Sequence, residues 1–187
     1  MAETGRARRE RVGGLEAVVL SCGSLEVWIV PSHGSNLARF TAGGRAVIDF
    51  DPALLVRHDF TGTPVLYPTP NRVRDGVFRW RGREYRQVKE GKPVMEHGLV
   101  HSEPWQCGEP LIEAEGVRLR TWLDFTPGSA VFEAFPFPHR LGLEFLLHGQ
   151  GVTVPRGHSR LLASGAVHAA GPAFLLAGKP DLLYGRP

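Results

Sequence analysis

A strict alternation of apolar and polar side chains over Val117 to Phe125 constrains the fold of this chain more than any other feature. Successive side chains of a β-strand point to opposite faces of the sheet. One face of this segment therefore carries Val117, Leu119, Thr121, Leu123 and Phe125. Charged or large polar residues and Trp122 occupy the other face. The pattern predicts a strand with one buried face and one solvated face.

Shorter segments with strand character occur on both sides of this one. They are Leu15 to Leu20, Leu25 to Val30, Val77 to Trp80, Glu84 to Arg86, Leu141 to Leu147 and Gly151 to Val154. Short turns that contain glycine separate the members of each pair, which predicts hairpins. No segment shows sustained helical periodicity, and no βαβ pattern is found. We therefore expect an all-β fold, an antiparallel β-sandwich.

Composition and charge divide the chain into three parts. The 187 residues are 42% hydrophobic and 22% charged, which suits one globular domain or part of a larger one. Residues 1–11 hold four arginines and two glutamates without aromatics, so we expect a disordered basic tail rather than a nucleic-acid site. Residues 12–154 carry the predicted sandwich. No apolar run is long enough to cross a bilayer, and residues 1–11 lack the apolar core of a secretory signal.

The composition changes after Val154. Residues 155–187 are mostly Ala, Gly, Pro, Leu, Arg and His, and Asp181 is their only acidic residue. Alternation ends there, so we expect an irregular C-terminal tail. Two explanations stay open: a C-terminal extension of low order, or a shifted reading frame in a GC-rich gene. Resequencing the locus would separate them.

The two cysteines indicate a reducing compartment. Cys22 and Cys107 form no CxxC motif and no metal-ligand spacing. We expect both to be reduced thiols in a cytoplasmic protein.

The chemistry of the chain is concentrated between Gly62 and Trp105. Proline and glycine stiffen the turn that presents Asn71 and Arg72. Further along, Gly98 follows His97 and would let a ligand approach the backbone closely. An amide, a guanidinium, an imidazole and the Trp105 indole together could hold a small polyhydroxy molecule.

These residues, in this order and framing, resemble the aldose 1-epimerase (mutarotase) family. The resemblance rests on Pro-Thr-Pro-Asn-Arg ending at Arg72, Glu-His-Gly ending at Gly98, and Phe-Pro-Phe-Pro-His beginning at Phe135. The segment from Gly34 to Arg45 looks like the opening hairpin of that family. The similarity runs from about Val12 to Val154, and covers only the front half of the usual family domain. It implies an incomplete galactose mutarotase-like supersandwich.

The resemblance also implies a function. Such proteins interconvert the α and β anomers of a free hexose by general acid/base ring opening, without a cofactor. Asn71 and Arg72 match the sugar-binding pair of the family, and His97 matches its first active-site histidine. Trp105 could supply a stacking face, although a core position is the alternative for it.

Two catalytic groups of the family have no match in this chain: the acid in a His-Pro-Tyr-Phe segment and a late glutamate base. We therefore expect a weak or inactive isomerase. Two alternatives stay open, a non-catalytic carbohydrate-binding module and a truncated remnant. A third is a hexose-6-phosphate epimerase, with Arg72, Arg74 and Arg79 meeting the phosphate. The expected partner is a small sugar, with no nucleic acid and no membrane, and the oligomeric state is left undetermined.

The spacing of the histidines does not predict a metal site. His97 and His101 have the spacing of two ligands on one helix face, but Gly98 and the β pattern argue against a helix. No third ligand is evident, so no metal is expected. His139 and His148 lie at a strand start and a turn, where we expect surface exposure.

Overall fold

Two antiparallel sheets face each other across one apolar core in the computed structural model, which describes residues 5–80, 82–94 and 96–154, and the backbone of 158–161. The first sheet is a meander in which each strand pairs with the next. Its strands are β1 (Arg6–Val12), β2 (Leu15–Cys22), β3 (Leu25–Val30), β4 (Asn36–Ala42) and β5 (Arg45–Ile48). A short helix, α1 (Pro52–Val56), follows. Phe50 and Leu55 cover the outer face of this sheet, so its central strands are buried on both sides.

Two small hairpins form the middle of the chain. The first consists of β6 (Val77–Trp80) and β7 (Arg83–Arg86). The second consists of β8 (Val88–Lys89) and β9 (Lys92–Pro93). A single 3₁₀ turn at Arg74–Gly76 precedes them.

The second sheet is built around one long strand pair. Its strands are β10 (Gln106–Cys107), β11 (Leu111–Glu113), β12 (Gly116–Phe125), β13 (His139–His148), β14 (Gly151–Thr153) and β15 (His158–Leu161). A short helix, α2 (Ala130–Ala134), connects β12 to β13. β10 and β11 share one edge of β12, while β14 and β15 share the far edge of β13.

The predicted alternation of β12 is confirmed. Val117, Leu119 and Phe125 are fully buried, and they pack with Val18, Leu20 and Ile29 of the first sheet. Thr121 is the polar member of the inward face, and its hydroxyl lies 2.6 Å from that of buried Ser35. The inward-facing hydroxyl is thus satisfied across the core. The antiparallel sandwich and the predicted hairpins are also confirmed.

The prediction of a disordered tail over residues 1–11 is wrong for residues 6–11, which belong to β1. This strand pairs with β2 along its whole length, from Arg6 opposite Ser21 to Val12 opposite Leu15. Two of its arginines have acidic partners: Arg8 contacts Glu10 and Glu26, and Arg9 Nη1 lies 2.9 Å from Glu16 Oε1. Charged side chains are common on edge strands because they discourage pairing with other chains. Residues 1–4 lie outside the described residues.

The C-terminal prediction is mostly outside the described residues. Only the backbone of His158–Leu161 is described, and it pairs with the start of β13, placing His158 opposite Gly142. The prediction of an irregular tail over the rest of 155–187 and the choice between an extension and a shifted frame stay predictions.

The expectation that His139 is exposed is wrong. His139 is only 5% exposed because it continues the inward-facing positions of β13. Its Nδ1 donates to the Phe137 carbonyl at 2.6 Å, so its Nε2 accepts from the Tyr67 hydroxyl at 2.6 Å. The ring stacks on Phe125 with 4.2 Å between centroids. Burial lowers the pKa of His139 and raises the pKa of Tyr67.

Tyr67 also connects the core to a second segment through its backbone. It forms an isolated parallel bridge with Gly98, and the Leu99 N–H donates to the Tyr67 carbonyl at 2.7 Å. Gly98 has a φ of 75°, and a Cβ atom there would lie 2.1 Å from the Tyr67 oxygen. Only glycine permits this approach.

We expect Gly98→Ala to destabilise the protein more than Gly91→Ala. Both glycines have nearly the same positive φ, 75° and 74°, but a Cβ atom at Gly91 meets nothing within 4 Å. Gly91→Ala should cost about 1 kcal/mol, the ordinary penalty of a left-handed residue. Gly98→Ala should cost clearly more, because a backbone carbonyl must also move. Urea unfolding of both variants measures the difference, and equal losses would contradict the close approach.

We expect the free energy of unfolding to decrease as the pH falls below about 6.5, and His139→Gln to weaken that dependence. A histidine whose pKa is lowered by folding binds fewer protons when folded than when unfolded. Its contribution is therefore complete above the unfolded pKa and is lost as the pH falls towards the folded pKa. Chemical unfolding between pH 7.5 and about pH 5, above the range in which carboxylates titrate, measures the slope. His148→Gln, in the turn after β13, is the control, and an unchanged slope in His139→Gln would contradict the assignment.

Candidate functional site

Four segments that connect strands meet beside the sandwich. The bridge between Tyr67 and Gly98 places the loop that follows Tyr67 beside the segment that precedes Gly98. The turn at Gly34 packs on the backbone of His101, and the Gly34 N–H donates to the Glu103 carbonyl at 2.8 Å. The loop after α1 completes the group through Phe60, whose ring contacts His97 and His101.

Asn71 and Arg72 are presented on the surface of this group. The Asn71 Oδ1 atom accepts from the Arg72 backbone N–H at 2.7 Å, which fixes the turn locally. The Arg72 side chain is 81% exposed, and its Nη2 lies 3.0 Å from Glu96 Oε2. An exposed ion pair of this kind contributes little to stability. The guanidinium is therefore oriented but still open to a ligand.

His97 lies near the same carboxylate oxygen. Its Nε2 lies 3.9 Å from Glu96 Oε2, which is too long for a hydrogen bond. Its Nδ1 is buried and has no hydrogen-bond partner among the described residues. The backbone of His97 has a φ of 60°, an unusual conformation for a residue with a side chain. The structure thus brings Arg72 and His97 to one side of the molecule, within reach of one oxygen atom.

A cleft of about 300 Å³ adjoins Glu96. It is lined by His58, Lys89, Lys92, Glu96, His101 and Ser102, among others. Lys89 is held there by Glu103, with Nζ 2.5 Å from Oε1, and by the Ser102 hydroxyl at 2.9 Å. Burial lowers the pKa of His101, and the neighbouring charges of Lys89, His58 and His97 lower it further.

His33 extends the histidine group away from this cleft. Its ring stacks on that of His58 with 5.2 Å between centroids. Burial, and then the charge of His58, lower the pKa of His33. Four imidazoles are thus neighbours: His33, His58, His97 and His101. The lowered pKa values of His33 and His101 favour their neutral form at neutral pH, in which each ring offers one donor and one acceptor.

Trp105 lies in the core. It is 5% exposed, its indole N–H donates to the Val100 carbonyl at 3.2 Å, and its backbone N–H donates to the Pro31 carbonyl. The ring packs with the apolar residues between the sheets, the alternative considered for it. It therefore offers no open face for a ligand beside Asn71, Arg72 and His97.

Two residues of the site were not predicted from the sequence. Glu96 precedes His97 directly, and only the fold shows that it also meets Arg72. Phe60 is a lone aromatic residue in the polar stretch Arg-His-Asp-Phe-Thr-Gly, a pattern that could have identified it. A large apolar side chain in a polar loop either packs inward or is presented to a partner.

The described residues contain neither a group of metal ligands nor a membrane-spanning helix. The segment from His97 to His101 is not helical, as expected from Gly98. In residues 5–154, apart from 81 and 95, no three His, Cys, Asp or Glu side chains group as metal ligands. Cys22 and Cys107 form no disulfide. No helix in the described part of the chain is long and apolar enough to span a bilayer.

Solved structures share this fold. A galactose mutarotase-like protein from Clostridium acetobutylicum matches with a TM-score of 0.65 and 19% sequence identity, over 80% of this chain and 47% of its own. The Slr1438 protein from Synechocystis sp. PCC 6803 matches with a TM-score of 0.58 and 21% identity, over 80% of this chain and 46% of its own. The present chain thus spans just under half the length of each.

The family comparison covers most of the sequence. The model of the aldose 1-epimerase family matches residues 16–158, which include every loop of the site and most of both sheets but not β1. That range agrees with the segment on which the sequence resemblance rests. The chain belongs to the aldose 1-epimerase family.

Proposed function

We propose that this chain provides the sugar-binding part of an aldose 1-epimerase site, with a free hexose as its ligand. The observation that carries the proposal is the convergence of Arg72 and His97 on Glu96, at 3.0 Å and 3.9 Å from the same carboxylate oxygen. Membership of the family and the mutarotase-like fold support it. The ligand would be held at the surface formed by Asn71, Arg72 and His97.

The chemistry of these groups fits a hexose. The interconversion of anomers requires one group that removes the proton of the O1 hydroxyl and another that protonates the ring oxygen as the C1–O5 bond breaks. Arg72 can donate to neighbouring hydroxyls in a fixed planar geometry. The Nε2 atom of His97 is too far from Glu96 for a hydrogen bond, at 3.9 Å, and can bond to a ligand instead. Glu96 orients the Arg72 guanidinium towards His97.

We further propose that these 187 residues have little isomerase activity on their own. The late glutamate and the His-Pro-Tyr-Phe histidine that the family uses as base and acid have no match in the sequence. Removing an essential proton-transfer group lowers a rate by roughly 10²- to 10⁴-fold. The site would then bind a sugar without efficient turnover.

A cytoplasmic location is part of the proposal and is supported by the two cysteines, which form no disulfide.

A phosphorylated hexose is a weaker candidate. That alternative needs Arg72, Arg74 and Arg79 to act together. Arg72 pairs with Glu96, whereas Arg79 pairs with Glu84 across the β6–β7 hairpin, with Nη2 3.1 Å from Oε2. These separate partners favour a neutral sugar.

We expect D-galactose or D-glucose to bind the chain and Arg72→Ala and His97→Ala each to weaken binding by roughly 10-fold or more, because each removes a hydrogen-bonding group from the site. NMR titration measures the dissociation constant. Arg86→Ala is the control, since Arg86 is an exposed arginine paired with Glu84 outside the site. Polarimetry on freshly dissolved α-anomer measures turnover in parallel.

Three outcomes of these experiments separate the parts of the proposal. Absence of sugar binding by the wild-type chain would refute it. Binding that survives both substitutions would place the sugar elsewhere. Mutarotation at an ordinary enzymatic rate would disprove the expected lack of turnover.

A further inference from the structure

Phe60 stands out among the exposed side chains. Several large apolar side chains are exposed in the described part of the chain, and Phe60 is the aromatic one among them. Its exposed fraction is 50%. An exposed phenylalanine has no hydrogen bond to offer. Its position therefore calls for either a packing partner or a ligand with an apolar face.

The loop that carries Phe60 is fixed on both sides. Asn36 is 2% exposed, donates from Nδ2 to the Thr61 carbonyl at 2.9 Å and accepts from the Thr63 N–H at 2.9 Å. On the other side, the Asp59 N–H donates to the Leu54 carbonyl at 2.9 Å. Phe60 is thus presented from an anchored loop.

The ring lies against the histidines of the site. It meets His97 edge to face, with 4.8 Å between centroids, and His101 at 5.1 Å. These contacts cover part of the side chain, and half of its surface stays open. A ligand that touches His97 would therefore lie close to Phe60.

We propose that Phe60 is the stacking surface for the sugar, the role for which Trp105 was considered. The inference rests on the proposed function, since it assumes that a hexose binds beside Arg72 and His97. A pyranose has hydroxyl groups around its edge and a patch of C–H groups on its face. The C–H patch would pack on the open part of the Phe60 ring, while the hydroxyl edge meets the guanidinium and the imidazole. Phe60 would thereby select an aldopyranose over an open-chain polyol, which has no such face.

The test is D-galactose titration of the full chain by NMR, with Phe60→Leu, Phe60→Tyr and the control Val47→Ala. Leucine keeps apolar bulk against His97 but lacks a flat aromatic face, so Phe60→Leu should weaken binding by roughly 2- to 10-fold. Tyrosine keeps the face, so Phe60→Tyr should bind as the wild type does. Val47 is also exposed, 62%, and lies on β5, so Val47→Ala should change nothing.

Each other outcome overturns the inference. Wild-type affinity in Phe60→Leu, or equal losses in Phe60→Leu and Phe60→Tyr, would show that no aromatic stacking is involved. If galactose binding is lost in Arg72→Ala but kept in Phe60→Leu, only this inference fails and the proposed function stands. If the wild type binds no galactose, both fail.

A second measurement needs no variant. In the unmodified protein with bound galactose, nuclear Overhauser effects should connect the C–H protons of the sugar to the ring protons of Phe60. Their absence at saturating galactose would overturn the inference even if the variants lose affinity.

Discussion

One backbone contact, between Tyr67 and Gly98, determines where the candidate site can form. The Tyr67 carbonyl accepts from the Leu99 N–H at 2.7 Å, and the missing side chain of Gly98 lets the two segments touch. Tyr67 is itself fixed by its hydroxyl, which donates to buried His139, and by packing on Phe125. The position of the surface loops is thus set from the core outward.

The residues that stabilise these loops differ from the residues proposed to contact a sugar. Buried groups such as Asn36 and Ser35 fix the loops through hydrogen bonds that are costly to lose. The side chains proposed to meet a sugar, Arg72 and Phe60, are exposed, and the ion pair of Arg72 with Glu96 adds little to stability. Functional side chains on loops held by a rigid scaffold are a common design.

The strands could be predicted from the sequence because their signals are local. Alternation over Val117 to Phe125 and glycine in the turns need no knowledge of distant residues. The disordered tail was a wrong prediction because its pairing strand, β2, and the acidic partners Glu16 and Glu26 lie outside the tail. His139 was wrongly predicted to be exposed, although it lies two residues before inward-facing Leu141 and therefore on the same face of β13. Extending the alternation by one inward position would have buried it.

The sequence by itself determined the fold class, the family and the identity of the predicted Arg72 and His97 pair, because periodicity and short motifs are properties of neighbouring residues. Only the tertiary structure decided that this pair meets at Glu96, that Trp105 is buried and that Phe60 is open beside His97. The physical reason is that each of these facts depends on contacts between segments distant in sequence. Such contacts follow from the packing of two sheets and from the close approach at Gly98, which no local pattern encodes.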